Sequence, residues 1–131
     1  WACPPATGPI GHCMKECEAF HRVFLFTTVT EVSDRMDFSA CLEARQSHEQ
    51  MTYELRQKFE EHFGKVLALS SGCMLCDVCA YPDEPCRHPK KRLSSVESHG
   101  ILLVETASRL GITLDWGNQV VIYFGMIFFN A

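Results

Sequence analysis

With 131 residues, 47% of them hydrophobic and 21% charged, the chain has the make-up of one compact domain and is too short for two separate cores. Its formal charge of −4 excludes nucleic acid as the main partner, because backbone binding demands a cationic surplus. No membrane span is expected: the most apolar run, residues 120–129, is about half the length of a bilayer-crossing helix.

Residues 1–20 form a cysteine-rich opening segment without the basic start and apolar run of a signal peptide, so a cytoplasmic location is expected. Cys3-Pro4-Pro5, Gly8-Pro9 and Gly11 oppose regular structure, and a short helix is predicted only over 11–20. Residues 23–29 are apolar and β-branched and read as a buried strand. From Asp37 to Phe63, apolar residues recur at helical spacing: Phe38, Cys41/Leu42, Met51, Leu55, Phe59 and Phe63. Gly64 stands where a helix end favours it. Residues 66–70 are the next strand and complete a βαβ unit whose strands run parallel.

The loop 72–92 follows, where Pro82, Pro85 and Pro89 forbid a helix or central strand. Ser94-x-x-Glu97 predicts a capped helix running to Leu110 and ended by Gly111. Residues 112–114 and 120–129 are the last predicted strands, joined by a turn around Gly117-Asn118. The expected fold is α+β, a single domain over 1–131 in the order β-α-β-(cysteine loop)-α-β-β, with a mixed sheet and helices packed mainly on one face.

Eight cysteines in so short a chain suggest either a disulfide framework or a metal. Cys73, Cys76 and Cys79 stand at C-x2-C-x2-C spacing, too tight for mutual pairing, and the chain can build a core without staples. Two-residue spacing instead wraps thiolates around one cluster, with a more distant cysteine closing the fourth corner: Cys86, with Cys3 or Cys13 as the alternatives that spacing leaves open. The spacing therefore points to a 4Fe–4S cluster on Cys73, Cys76, Cys79 and Cys86. Structural zinc is the alternative, although its ligands usually come as two separated pairs.

Cys3, Cys13 and Cys17, with His12 beside them, are candidates for a second cluster; Cys13 and Cys17 share a face if their segment is helical. Cys41 reads as a core thiol. The basic run Arg87, His88, Lys90, Lys91, Arg92 reads as a solvated loop that offsets cluster charge, or as a docking patch for an acidic redox partner or anionic substrate. His48, His62 and His99 fall on predicted helices and read as solvent-facing or hydrogen-bonded residues. No triad, phosphate loop or carboxylate pair is present in the pattern.

Two stretches resemble a known family. One is Cys3-Pro4-Pro5-x-x-Gly8 with Cys13-x3-Cys17 and the segment from Phe24 to Val32. The other is Gly72-Cys73-x2-Cys76-x2-Cys79-x-Tyr81-Pro82-x2-Pro85-Cys86-Arg87-x-Pro89, followed by Ser95-Val96-Glu97-x2-Gly100-Ile101. They resemble the predicted metal-binding proteins of DUF2284, a family of unknown function found mainly in anaerobic bacteria and archaea. The resemblance spans essentially the whole chain and implies iron–sulfur ligands at Cys73, Cys76, Cys79 and Cys86. Family members carry further cysteines just upstream of the Trp-x-Cys-Pro-Pro motif, where this sequence starts. Such cysteines are expected to join Cys3 and Cys13 in the second site, with Cys17 or His12 as substitutes in the chain as it stands.

The expected function is electron transfer to a partner protein in anaerobic metabolism, rather than catalysis. The alternatives are an enzyme or accessory whose open-site cluster binds a small molecule or corrinoid, and a zinc-stabilised interaction domain. The doubly apolar strand at 120–129 reads as buried within the sheet, or else as the face of a homo-oligomer.

Overall fold

Asp37 and Gly64 bracket the longest element of the computed structural model, which describes residues 1–114, 117 and 119–131. The Asp37 carboxylate accepts from the Ala40 N–H at 3.1 Å. Gly64, at φ 77°, ends the 26-residue helix α2 (Phe38–Phe63), as the sequence predicted. The face that α2 buries differs from the predicted one. Phe38, Leu42 and Met51 are 74%, 49% and 46% exposed, whereas Ala44, His48, Glu49 and Thr52 are buried. The sheet beneath offers polar partners to this half of the helix: the Thr28 hydroxyl, the Phe124 carbonyl and the Ser70 hydroxyl. Apolar packing takes over further along, where Tyr53, Leu55 and Phe59 cover Ala68, Leu93 and Ile127.

Among the described residues, four strands form one mixed sheet, β1 (Arg22–Glu31), β2 (Leu67–Ser70), β3 (Ser94–Ser95) and β4 (Val120–Phe129), in the order β1-β4-β2-β3. β4 pairs antiparallel with β1 from Arg22↔Phe129 to Glu31↔Val120, and antiparallel with β2 on its other edge. β1 and β2 therefore run in the same direction, as the βαβ reading requires, with β4 inserted between them. That central position explains why β4 is apolar on both faces. At its middle, Gly125 stands opposite Phe26, and a Cβ on Gly125 would meet the Phe26 ring at 2.2 Å. The glycine makes room for that ring.

Side chains alternate between two covered faces. Ala68 and Ile127 face α2, while Leu69, Val96 and Met126 face the opposite way, toward Cys17, Ile101 and Leu103. Among the described residues, helices therefore cover both faces rather than mainly one, with the long α2 alone on the first. The short helices α1 (Ile10–Glu18) and α3 (Leu103–Leu110) contribute to the other.

Two predicted elements differ. Residues 112–114 form no strand, and the sheet's fourth member is β3, parallel to β2 and placed before α3. The predicted turn at Gly117-Asn118 falls partly outside the described residues. The helix expected from Ser94 is broken: after β3 comes only a 3-10 turn (Glu97–His99), closed by Gly100 at φ 76°. Val96, not Ser94, is its N-cap, and the Ser95 hydroxyl accepts from the Ser98 N–H at 3.3 Å. The left-handed backbone at Gly100 stops that turn before the helix resumes as α3.

Candidate metal centre

Strand β2 ends at Ser70 and β3 begins at Ser94, and between them the backbone over 72–92 forms neither helix nor strand, as its prolines require. The loop folds back so that Cys73, Cys76, Cys79 and Cys86 line one pocket, together with Trp1, Ala2, Arg87, His88 and Arg92. The cavity measures about 40 Å³. None of the eight cysteines is in a disulfide. Among the described residues, no three His, Cys, Asp or Glu side chains stand close enough together to hold one metal ion. The donor set is nonetheless all sulfur, the ligand type that soft metals and iron–sulfur centres take.

The pocket has electropositive surroundings. The Tyr81 N–H donates to Cys79 Sγ at 3.5 Å and holds that thiol below its ordinary range, with the nearby Arg87 guanidinium adding to the effect. Arg87 also donates to the Val78 carbonyl at 2.9 Å, which fixes it across the loop. The opening residues close one side. Trp1 packs edge-on against Tyr81 with ring centroids 5.1 Å apart, and its Nε1–H donates to the Glu84 carbonyl at 2.9 Å. The Ala2 carbonyl accepts from the Ser95 N–H at 2.9 Å.

Helix α2 ties down both ends of the loop. Arg45 donates to the Ser71 carbonyl at 3.4 Å and Arg56 to the Lys90 carbonyl at 3.0 Å. Gly72, at φ +135°, permits the first tie, because a Cβ there would stand 2.8 Å from Arg45 Nη2 and 3.7 Å from Cys3 Sγ. Between the two arginines, Glu49 accepts from the Ser70 hydroxyl at 2.7 Å. Burial pushes the Glu49 carboxyl above the usual carboxylate range, against the opposing pull of Ser70 and Arg45. Burial likewise raises the Tyr53 phenol, with the charges of Cys73 and Glu49 adding to it.

A family described as "Predicted metal-binding protein (DUF2284)" matches residues 1–129. The chain belongs to this family. No curated protein and no solved structure matches it. The family's description makes this DUF2284 domain a predicted metal-binding one.

The other cysteines of this DUF2284 chain lie in different surroundings. Cys13 is buried and its thiol donates to the Thr7 carbonyl at 3.3 Å. Cys17, one turn on, packs against Leu69, Val96 and Met126; burial, then Glu16, pushes its thiol up to about 11. Cys3 is exposed and lies against Gly72, beside the loop. Cys41 is half-buried on α2, its thiol 3.6 Å from the Arg35 carbonyl.

The three histidines His48, His62 and His99 divide. His62 is exposed, whereas His48 and His99 are buried and hydrogen-bonded. His99 Nε2 lies 3.5 Å from the Glu16 carboxylate and so links the 3-10 turn to α1.

The sequence reading missed Arg45, Glu49 and Tyr53. They stand four residues apart, hence on one stripe of α2. That spacing is visible in the sequence, but the loop it faces is fixed only by the crossing of α2 over β2.

Proposed function

We propose that Cys73, Cys76, Cys79 and Cys86 hold a 4Fe–4S cluster and that the domain passes electrons to a partner protein. The observation that carries the reading is that four thiols from one irregular loop line one pocket. The C-x2-C-x2-C run suits a cluster better than zinc, whose ligands come in separated pairs. A bound cluster would supply reversible one-electron transfer. The chain's own residues supply the setting: Tyr81 N–H for a sulfur, Arg87 for compensating charge, and Trp1 to limit solvent.

The cavity volume counts against an exchanging small-molecule substrate in this pocket. About 40 Å³ is far below the roughly 300–1,000 Å³ of small-molecule sites. Arg87, His88 and Arg92 beside the pocket supply a cationic face for an acidic redox partner. Cys3, Cys13 and Cys17 are proposed as the chain's contribution to a second cluster, with Cys3 lying nearest the first loop.

Anaerobic reconstitution followed by EPR of the reduced protein tests the reading. A reducible cluster signal is expected. Its absence, with one zinc per chain by metal analysis, would overturn it.

A further inference from the structure

Three polar atoms on the loop-facing stripe of α2 are buried without a hydrogen-bond partner among the described residues: Arg45 Nε, Glu49 Oε2 and the Tyr53 hydroxyl oxygen. Such groups each cost about 1–3 kcal/mol when left unmade, so three on one stripe call for an explanation. They are not scattered. Arg45 reaches the carbonyl just before Gly72-Cys73, Glu49 is held by Ser70, and the Cys73 sulfur acts on the Tyr53 phenol both as a charge and as a hydrogen-bonding group, without a bond of full geometry between them. The Tyr53 ring meanwhile packs against Ala68, Leu93 and Ile127, so the hydroxyl is carried on a firmly held base.

We propose that Tyr53 is a positioning residue for the metal centre: its hydroxyl donates to the Cys73 sulfur once that sulfur is metal-bound, with Glu49 and Arg45 holding the stripe against the loop. The inference rests on the metal-centre reading above. A metal-bound thiolate is an anionic acceptor and completes a donor that the fold otherwise leaves orphaned. Outer-shell hydrogen bonds of this kind orient ligands, and losing one typically weakens metal binding about 10–100-fold.

Tyr53→Phe separates this role from a structural one, because it removes the hydroxyl and keeps the ring. The wild type and the variant are loaded anaerobically with ferrous iron and sulfide, and in a parallel arm with zinc. Metal loss to a chelator is then followed, and the urea stability of the metal-free chains is compared. The variant is expected to release metal at least about 10-fold faster while its metal-free form is as stable as the wild type or more so.

Release at the wild-type rate overturns the inference and leaves the metal reading intact. A metal-free variant that is weakened, with release unchanged, assigns the hydroxyl to the fold and also overturns it. A wild type that takes up neither metal overturns both. Should Tyr53→Phe not fold, Glu49→Gln decides: it keeps the Ser70 bond, faster release supports the stripe's role, and unchanged release removes it.

Discussion

The Ser70 hydroxyl donates to Glu49 Oε1 at 2.7 Å, joining the middle of α2 to the last residue of β2, from which the cysteine loop departs. Both residues are buried, and Glu49 Oε2 already lacks a partner. Ser70→Ala leaves the carboxyl without that donor and is expected to cost about 1–3 kcal/mol. Urea denaturation of the metal-free chain measures it. A variant within about 0.5 kcal/mol of the wild type would show the bond to be worth little.

His48 makes stability depend on acid. The Phe124 carbonyl, 2.9 Å from Nε2, can only accept, so Nε2 carries the proton and Nδ1 accepts from the Thr28 hydroxyl at 2.8 Å. Both nitrogens are satisfied in the neutral ring, and burial lowers the His48 pKa below 6.5 despite the Phe124 bond. The unfolded chain then takes up the proton first as pH falls. The stability that His48 contributes is present above about 6.5 and lost as pH drops toward the folded value. His48→Gln is expected to remove this part of the acid slope in urea titrations. Glu49 has the opposite sign: with its pKa raised above 4.5, its contribution is present at low pH and lost as pH rises.

Gly125 and Phe26 test the central strand. Gly125→Ala would force a methyl to within 2.2 Å of the ring and should destabilise by at least about 1–3 kcal/mol. Combining it with Phe26→Leu should recover part of that loss, as two contacting residues couple. Strict additivity in a thermal-melt cycle would show that the ring moves aside freely.

How much of this was legible in the sequence depended on whether the signal was local. Gly64 marked the end of α2 because a helix stop is read from neighbouring residues, whereas the Asp37 cap was not read from the sequence. The prolines marked an irregular loop for the same reason. The buried side of α2 was not legible. Apolar periodicity selected Phe38, Leu42 and Met51, but the helix buries the polar His48, Glu49 and Thr52, whose partners come from strands distant in the chain. Likewise, no local pattern shows that β4 threads between β1 and β2, or that Ser94–Ser95 becomes an edge strand. That Cys73, Cys76, Cys79 and Cys86 gather at one pocket was legible in their spacing, whereas the stripe Arg45, Glu49, Tyr53 beside it was not.

Single Cys→Ser variants at 73, 76, 79 and 86 should each lower bound metal, since each thiol lines the pocket. Cys41→Ser should leave it unchanged, because its thiol faces the Arg35 carbonyl. Metal analysis of the purified variants checks the series. Loss of metal in Cys41→Ser to the same degree as in Cys76→Ser would remove the pocket's special status.

The most direct test of the central claim is the iron, acid-labile sulfide and zinc content of the anaerobically purified chain. The account predicts about four iron and about four sulfide per chain for the pocket of Cys73, Cys76, Cys79 and Cys86, with negligible zinc. One zinc per chain without sulfide would contradict it.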